Sequence, residues 1–234
     1  MAGSRAEAGR RAAEVVASAL RGPGRRVLVL SSGKTMVPVY GALVRLHRAG
    51  KAPLARAATF NVDELCLPAA HLESFRTFMD RHFFRKVRLA PARIHFLRGD
   101  APDSALEAAR YERELRKAGG ADLVLLGIGV NGHIAYLEPG RALVPVTARV
   151  RLSASTRRGL AADGLRPAPR QAFTVGIETI LSARQILLVA TGRSKARVMA
   201  RALSGRITPR CPASYLTLHP RLTVILDRDA ASKL

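Results

Sequence analysis

Residues 122–139 read DLVLLGIGVNGHIAYLEP, and this stretch holds both a strand and the turn that follows it. Asp122–Leu126 is a near-continuous apolar run, typical of parallel strands whose two faces are both covered by helices. The glycines at positions 127, 129 and 132 are typical of a tight turn that comes close to a ligand. The stretch therefore predicts a parallel sheet with a site beyond the carboxyl end of this strand.

The same alternation of short apolar runs and amphipathic helices extends toward both ends of the chain. Strands are predicted over Val27–Ser31, Ala57–Phe60, Ile94–Leu97, Asp122–Leu126, Ile186–Ala190 and Thr223–Leu226. Helices are predicted within Met1–Arg26 and over Val37–Ala49, Glu73–Phe84, Asp103–Lys117 and Ser194–Leu203. This order predicts an α/β fold in which residues 1–234 form a single domain, a doubly wound, mostly parallel, Rossmann-like sheet with helices on both faces. Gly159–Arg170 holds two prolines and two glycines and is predicted to be a loop or a lid.

The composition of the 234-residue chain excludes several classes of protein. Hydrophobic residues make up 48%, which excludes wholesale disorder, and no apolar run approaches the roughly 20 residues that span a bilayer. Cys66 and Cys211 are the only cysteines, so we expect a reduced, cytoplasmic protein without a disulfide framework. Met1–Arg26 is arginine-rich like an organelle-targeting peptide, but its apolar positions favour an amphipathic first helix that Gly22-Pro23-Gly24 ends.

The chain carries 39 lysine and arginine residues against 17 aspartate and glutamate residues, a net charge of +22. A charge of this size is typical of proteins that bind polyanions. However, no block of five basic residues occurs, tryptophan is absent and aromatic residues make up 5%, which disfavours a surface for single-stranded nucleic acid. We therefore interpret the charge as arginines dispersed over solvated faces and expect any nucleic-acid binding to be non-specific.

The turn after the first predicted strand has the composition of an anion site. Ser31-Ser32-Gly33-Lys34-Thr35 supplies amides and hydroxyls just before a predicted helix, where a phosphate group can bind. Gly33-Lys34-Thr35 also matches the end of a nucleotide P-loop, but that motif needs a glycine where Leu28 stands. An ordinary turn between strand and helix is the alternative.

Gly127–Gly132 fits the pattern G-x-G-x-x-G of dinucleotide-binding proteins. The rest of that fingerprint is missing, because Pro139 limits a following helix to about a turn and no acidic residue stands about 20 residues further on. The pattern therefore favours a tight turn near a ligand over a dinucleotide site.

Two pairs of side chains that follow predicted strands can carry acid–base chemistry. His133 lies five residues before Glu138, and a histidine oriented by a carboxylate is a general acid–base unit. A histidine satisfied within the core is the alternative. Asp63 and Glu64 follow another strand and fit either catalytic carboxylates or a helix cap. The spacing of Asp63, His133 and Glu138 does not support a metal site.

Taken together, these segments resemble the glucosamine-6-phosphate deaminase (isomerase) family, which shares its fold with the 6-phosphogluconolactonases. The matching stretches are Phe60–Glu64, His71–Phe75, Asp122–Pro139, Phe173–Leu181, Ala190–Ala196 and Pro212–Asp227. Leu137-Glu138-Pro139 after the histidine, and His71-Leu72-Glu73-Ser74 after the two adjacent acids, resemble the deaminases more than the lactonases.

The resemblance implies an enzyme that opens the ring of an amino-sugar phosphate, moves a proton from C2 to C1 and releases ammonia. It assigns abstraction of the C2 proton to Asp63 and ring opening to His133. Asn131 and Glu138 match the supporting partners of the histidine.

The resemblance also implies how the substrate is bound. The phosphate is expected on the turn formed by Ser32, Gly33, Lys34 and Thr35, with Lys195 as a distant counter-charge. A sugar phosphate is the implied partner, without a metal, an organic cofactor or a membrane, and the protein is expected to be a monomer or a small homo-oligomer.

Among the departures of the chain from the family pattern, two concern residues with an expected role in the site. The pattern carries an arginine for the phosphate near the position of Ala162, and the available replacements are Arg157, Arg158 and Arg166. Asn131 stands where many family members carry aspartate. An asparagine is not an anionic partner for a histidine, but it can hold its neighbours by hydrogen bonding.

Two alternative functions stay open. One is hydrolysis of a sugar-phosphate lactone, with His133 as the base toward water, although Leu65 stands where lactonases usually carry an arginine. The other is a catalytically weak homologue that binds a sugar phosphate.

Overall fold

The computed structural model describes residues 1–22, 24–68 and 71–234, so Pro23 of the predicted helix stop lies outside the described residues. The strands are β1 (Arg26–Leu30), β2 (Ala57–Asn61), β3 (Asp63–Leu65), β4 (Ile94–His95), β5 (Leu123–Leu126), β6 (Ala148–Arg151), β7 (Gln171–Thr174), β8 (Ile186–Ala190) and β9 (Leu222–Leu226). The helices are α1 (Arg5–Ala19), α2 (Val37–Arg48), α3 (Phe75–Met79), α4 (Arg85–Val87), α5 (Ser104–Lys117), α6 (Ala154–Ala162), α7 (Ile177–Leu181) and α8 (Ala196–Ala202). A π-helical turn over Asp80–Phe84 joins α3 to α4, and 3₁₀ turns cover Leu54–Arg56, Pro91–Arg93, Arg193–Lys195 and Pro212–Leu218.

Six strands form one sheet with the order β4-β2-β1-β5-β8-β9, and every neighbouring pair is parallel. This order is that of a doubly wound Rossmann-like sheet, so the predicted fold class is confirmed. The chain proceeds from β1 to β2 on one side and from β5 to β8 on the other. The direction of winding therefore reverses between β1 and β5, and the crevice of the sheet lies at their carboxyl ends.

Helices cover both faces of the parallel sheet, because alternate strand residues point to opposite sides. Val27 and Val29 of β1 belong to a buried cluster with Tyr111 of α5. Leu28 and Leu30 of the same strand belong to a second cluster, formed with α1 and α2. The continuous apolar runs of the sequence are thus explained by burial on two faces rather than one.

Side-chain caps explain where two of the predicted helices begin. The Oγ of Ser4 accepts the N–H of Glu7 at 3.2 Å ahead of α1. Asp103 accepts the N–H groups of Ala105 and Leu106 at 2.8 and 3.0 Å ahead of α5. Both caps satisfy backbone donors that the first helical turn leaves without partners.

The sequence pattern does not predict the second sheet, which is antiparallel and has the order β3-β7-β6. Val62 alone separates β2 from β3 and bonds to both sheets. Its N–H donates to the carbonyl of Leu30 at 3.0 Å, and its own carbonyl accepts the N–H of Val175 at 2.8 Å. The chain therefore passes from one sheet into the other without a loop, which places Asp63 at the crevice.

The prediction of a loop or lid over Gly159–Arg170 is wrong for its first residues, which belong to α6. This helix begins because the Oγ of Ser153 accepts the N–H of Thr156 at 3.1 Å. Leu160 packs on a small cluster that contains Tyr136. Tertiary packing and the cap thus outweigh the low helix propensity of the glycine, and only the part that holds the prolines is irregular.

The start of the chain lies beside the last strand of the parallel sheet. The N–H of Ala2 donates to the carbonyl of Leu226 at 2.8 Å, and Ala2 forms a parallel bridge with Asp227. Among the described helices, none combines the length and the apolar character that crossing a membrane requires.

The first prediction concerns the contact between α1 and α2. A Cβ atom at Gly9 would lie 2.7 Å from the Cβ and 2.9 Å from the carbonyl carbon of Pro38. We expect Gly9→Ala to lower the free energy of unfolding, because overpacking of about 1–3 kcal/mol outweighs a gain of about 1 kcal/mol in helix propensity. Urea unfolding followed by circular dichroism measures the change.

Gly159→Ala is the matched control, since no heavy atom lies within 4 Å of its added Cβ. This substitution should raise the stability by about 0.5–1 kcal/mol. If both substitutions stabilise the protein, α1 and α2 do not lie as close together at Gly9 as the structure shows.

Candidate active site

The turn after β1 is attached to the neighbouring strand and to the following helix. The Oγ of Ser31 donates to the carbonyl of Leu125 in β5 at 2.8 Å, and the hydroxyl of Tyr40 in α2 donates to the carbonyl of Ser31. The N–H of Met36 closes the turn on the carbonyl of Gly33 at 2.9 Å. Gly33 has a φ of +103°, which favours glycine. The amides and hydroxyls of residues 32–35 are thus held at the carboxyl edge of the sheet.

Lys34, predicted to bind phosphate, forms an ion pair at the end of α6. Its Nζ lies 2.5 Å from Oδ1 of Asp163, the residue that ends α6. The side chains are 76% and 54% exposed, so solvent screens the pair. Lys34 therefore joins the anion turn to α6, and Asp163 balances its charge.

The two adjacent acids of the sequence have different surroundings. The carboxylate of Glu64 accepts the N–H groups of Leu65, Phe75 and Arg76 at 2.8, 2.8 and 2.9 Å, which ties β3 to the start of α3. Burial raises the pKa of Glu64 to about 7 even though these hydrogen bonds lower it. The helix-cap interpretation is thus correct for Glu64.

Asp63 is buried, and its Oδ1 has no hydrogen-bond partner among the described residues. Burial raises the pKa of Asp63 well above its ordinary value, and the charge of Glu64 adds to this effect. A buried polar atom without a partner is rare in folded proteins and requires an explanation. Asp63 is therefore not a cap, and its carboxyl group is available for a ligand in the crevice.

The glycine-rich turn after β5 provides space for an imidazole. A Cβ atom at Gly129 would lie 2.3 Å from Cε1 of His133, so the ring packs directly on the glycine backbone. The N–H of Gly129 donates to the carbonyl of His133 at 2.9 Å, and the N–H of Gly132 donates to that of Gly129 at 3.0 Å. Gly129 is thus explained by the packing of His133, and Gly132 by its φ of +102°.

The carboxylate of Glu138 connects this turn to the start of α6. Its Oε2 accepts the amide of Asn131 at 2.9 Å and lies 3.7 Å from Nδ1 of His133, while its Oε1 accepts the N–H of Ser153 at 3.2 Å. Nδ1 of His133 also lies 3.3 Å from Oγ1 of Thr156. The predicted pairing of His133 with Glu138 is therefore present, and α6 takes part in it.

Glu138 keeps a negative charge in this setting. Burial favours its neutral form, but hydrogen bonds from His133 and Thr156, the charge of His133 and the N–H of Ser153 together lower the pKa of Glu138 to about 2. An anionic carboxylate that faces Nδ1 fixes the orientation of the ring.

The acids and the histidine surround one buried phenol. Burial raises the pKa of Tyr136, and the charges of Asp63, Glu64 and Glu138 raise it further. The ring centroids of Tyr136 and His133 are 6.0 Å apart. Asp63 pairs with Thr174 of β7, and the Oγ1 of Thr174 accepts the N–H of Tyr136 at 3.0 Å, so β3 lies close to the histidine turn.

Lys195 follows β8, at the same edge of the sheet. The preceding turn is held by Asp227, whose two carboxylate oxygens each accept the N–H of Gly192 at 3.0 Å. Lys195 is half-buried, and burial lowers its pKa. No ion pair of Lys195 occurs among the described residues. An ammonium group in this state is suited to bind an anion.

The three candidate arginines near Ala162 differ in their surroundings. Arg158 is exposed, and the Nε of Arg166 donates to the carbonyl of Ala161 at 3.1 Å. The Nε of Arg157 is enclosed and has no hydrogen-bond partner in the described part of the chain. Arg157 is therefore the candidate whose guanidinium is not explained by contacts within the protein.

Arg201 of α8 is a further contact of the site that sequence reasoning misses. Its Nη2 donates to the carbonyl of Asn131 at 2.5 Å and supports the histidine turn. The two residues are 70 positions apart, and no spacing distinguishes this arginine from the others. Ser153 and Thr156 are missed as well, although serine is a common residue at helix starts.

The arrangement combines an unpartnered carboxyl group, an imidazole oriented by a carboxylate, an ammonium group and a turn of amides. Such a set can transfer protons on a substrate that carries an anionic group. Within the described ranges, no three side chains of His, Cys, Asp or Glu are placed to hold a metal ion.

Comparison with known proteins gives consistent matches along the chain. The sequence profile of the family "Glucosamine-6-phosphate isomerases/6-phosphogluconolactonase" matches residues 3–225. Glucosamine-6-phosphate deaminase 1 of Giardia intestinalis is 40% identical over 92% of this chain and 82% of its own length. The glucosamine-6-phosphate deaminase of Halothermothrix orenii is 39% identical over 97% of this chain and 96% of its own length.

Solved structures give the same picture. A monomeric glucosamine-6-phosphate deaminase superimposes with a TM-score of 0.95 at 36% identity and covers 99% of this chain and 98% of its own. The 6-phosphogluconolactonase of Trypanosoma cruzi has a TM-score of 0.81 at 21% identity, with 100% and 95% covered, and shows the shared fold alone.

The second prediction concerns the contact between Asn131 and Glu138. We expect Asn131→Asp to raise the pKa of Glu138, because a carboxylate replaces the amide that now donates to Oε2 at 2.9 Å. A pH titration of the Glu138 carboxyl carbon by NMR measures the shift. Asn131→Ala removes the hydrogen bond without adding a charge and should cause a smaller rise. If Asn131→Asp leaves the pKa of Glu138 unchanged, the two side chains are not in contact.

Proposed function

The chain belongs to the family of glucosamine-6-phosphate isomerases and 6-phosphogluconolactonases, and we propose that it is a glucosamine-6-phosphate deaminase. The reaction converts glucosamine 6-phosphate and water to fructose 6-phosphate and ammonia. One observation carries this assignment: Asp63 is buried, its Oδ1 has no partner among the described residues, and its strand lies beside the turn that holds the oriented imidazole of His133. Two relatives named for this activity, at 39% and 40% identity, support it.

Ring opening is the first step, and we assign it to His133. Nδ1 of the ring faces Glu138 and Thr156, which leaves Nε2 for the sugar. The imidazole accepts the proton of the C1 hydroxyl and donates one to the ring oxygen, so the open-chain aldehyde forms without net change in protonation. The anionic Glu138 lies 3.7 Å from Nδ1 and keeps the ring in one orientation during both transfers.

Proton transfer from C2 to C1 follows, and we assign it to Asp63. The carboxylate removes the C2 proton while the C1 oxygen gains a proton, which gives an enolamine. It then returns the proton to C1 while the amino group releases one, which leaves an imine at C2. Water adds to the imine and ammonia leaves, so that the ketose is formed. The raised pKa of Asp63 brings the carboxylate closer to the basicity that a general base needs.

Phosphate binding is assigned to the turn of Ser32, Gly33, Lys34 and Thr35, with Lys195 across the crevice. The turn follows β1 and Lys195 follows β8, and these two strands flank β5. Since neighbouring strands lie about 4.8 Å apart, the two groups stand roughly 10 Å apart along the edge, with the histidine turn between them. The half-buried Lys195 supplies a cation that has no ion pair among the described residues, whereas Asp163 binds Lys34.

The other activities expected from the sequence have less support. The T. cruzi lactonase is 21% identical, and Leu65 is buried in a cluster with Tyr136 rather than exposed to a ligand. A homologue that only binds sugar phosphate does not explain the buried, unpartnered Asp63, which carries an energetic cost without a catalytic use. We further propose that residues 1–234 act as a single domain and, on the likeness to the solved monomeric deaminase, as a monomer.

The third prediction tests the catalytic assignment. Asp63→Asn should lower kcat for ammonia release from glucosamine 6-phosphate by about 10²–10⁴-fold, because the base is removed. Burial of an acid whose pKa is raised destabilises the folded state above the ordinary pKa. Asp63→Asn should therefore raise the thermal midpoint at pH 7, and this gain should shrink as the pH falls toward 4. Near-normal turnover of Asp63→Asn would show that Asp63 is not the base. A lowered thermal midpoint would indicate that the variant is misfolded.

The fourth prediction separates the two lysines. Lys195→Ala should weaken binding of glucosamine 6-phosphate by about 1.5–3 kcal/mol, the range for hydrogen bonds to charged groups, and should leave binding of free glucosamine unchanged. Lys34→Ala is the matched control and should have a smaller effect, because Asp163 already binds Lys34. Isothermal titration calorimetry on variants made inactive by Asp63→Asn measures both. If both substitutions weaken binding of glucosamine 6-phosphate equally, the proposal that Lys195 contributes more than Lys34 is wrong.

A further inference from the structure

Arginines precede the strands at the amino edge of the parallel sheet, opposite the crevice. Arg25, Arg56, Arg93 and Arg221 stand directly before or at the start of β1, β2, β4 and β9, and Arg184 stands two residues before β8. The register of the sheet aligns the first residues of β1 and β2, with Arg26 beside Ala57. The guanidinium groups are therefore brought together by the parallel topology rather than by proximity in sequence.

Part of this row is neutralised within the protein. Asp122, just before β5, lies 3.2 Å from a nitrogen of Arg26 and 3.6 Å from one of Arg184. The N–H of Val27 also donates to Asp122 at 2.8 Å. The middle of the edge is thus an ion-pair cluster, and unbalanced charge is left at the starts of β1, β2 and β4.

A cavity of about 370 Å³ lies at this unbalanced end and is lined by Arg25, Arg56, Ala92 and Arg93. Arg25, Arg56 and Ala92 are exposed, so the cavity is open to solvent. Within the described part of the chain, none of its three arginines forms an ion pair with a carboxylate. Three unpaired guanidinium groups around one cavity repel one another.

Arg93 is held in place at this cavity. Its Nη1 donates to the carbonyl of Ala55, and its own carbonyl lies 3.5 Å from Oγ1 of Thr59 in β2. Arg93 is also half-buried, unlike Arg25 and Arg56. An anchored guanidinium loses less conformational entropy when it binds an anion.

We propose that this cavity, which we call the arginine cavity (Arg25, Arg56, Ala92 and Arg93), binds a ligand with a chain of two or more phosphate groups. Guanidinium groups match phosphate oxygens in pairs, and a ligand with several negative charges balances all three arginines at once. A single phosphate group meets fewer of them, since the strand starts are about 4.8 Å apart. A long nucleic-acid strand is disfavoured because Asp122 interrupts the row next to the cavity.

The arginine cavity is distinct from the phosphate turn of the proposed active site. The two lie at opposite ends of five-residue strands, a separation of about 16 Å along the strand direction. Occupation of one site therefore leaves the other free, and the proposal does not depend on the activity of the crevice.

Calorimetric titration in 0.15 M salt with inorganic triphosphate, compared with orthophosphate, tests the proposal. We expect one triphosphate site, with at least tenfold weaker binding of orthophosphate. Arg56→Ala combined with Arg93→Ala should weaken triphosphate binding by about tenfold or more. Adenosine triphosphate is titrated alongside: equal affinity identifies the phosphate chain as the ligand, and tighter binding identifies a nucleotide.

The control removes the same charge elsewhere, through Arg113→Ala combined with Arg206→Ala. Both residues are exposed and lie outside the cavity, so triphosphate affinity should change by less than twofold. Lys195→Ala should also preserve it. The proposal is overturned if either control weakens binding as much as the cavity variant does. It is also overturned if a single-stranded oligonucleotide displaces triphosphate and binds more tightly.

Discussion

The carboxylate of Glu138 joins parts of the chain that would otherwise meet only through packing. Its two oxygens bond to the amide of Asn131 and the backbone of Ser153, and it faces the imidazole of His133. The first contact holds the turn after β5, and the second attaches the start of α6 to that turn. The position of the imidazole, the beginning of α6 and the anionic state of the carboxylate therefore depend on the same set of hydrogen bonds. A charge at this place is stable only because several donors face it at once.

A second constraint acts through Val62, which bonds to both sheets. Only one residue separates β2 from β3. The backbone on both sides of Val62 is therefore held in a strand, and this fixes the position of Asp63 at the crevice. The carboxylate of the neighbouring Glu64 accepts two N–H groups at the start of α3, and these hydrogen bonds also hold β3 in place. Asp63 thus keeps a buried carboxyl group without a partner, a feature that folding alone does not favour. The surrounding strands supply the stability that this residue removes.

The parallel sheet could be predicted from the sequence because its strands are buried on both faces and read as apolar runs. The antiparallel sheet could not. Residues 148–151 alternate arginine with small or apolar residues, and their pairing with residues 171–174 depends on contacts distant in sequence. For the same reason, the sequence shows that Asp63 and Glu64 are adjacent but does not distinguish the one that caps a helix from the one whose carboxyl group has no partner. The resemblance to a family supplies the proposed site residues, whereas Arg201 and the ion pair of Lys34 arise from tertiary contacts that no local pattern encodes.

The order of the strands has a consequence for the way the chain folds. β1 lies between β2, which follows it closely, and β5, whose residues come almost a hundred positions later. Contacts between distant residues form slowly, because the intervening chain must first lose its freedom. During synthesis, β1 and β2 therefore pair while one flank of β1 is still exposed. The bond from Ala2 to Leu226 closes only after the last strand has left the ribosome. The crevice between β1 and β5 is thus a late product of folding, and a nascent chain shorter than the histidine turn exposes an apolar strand edge that invites association with other chains.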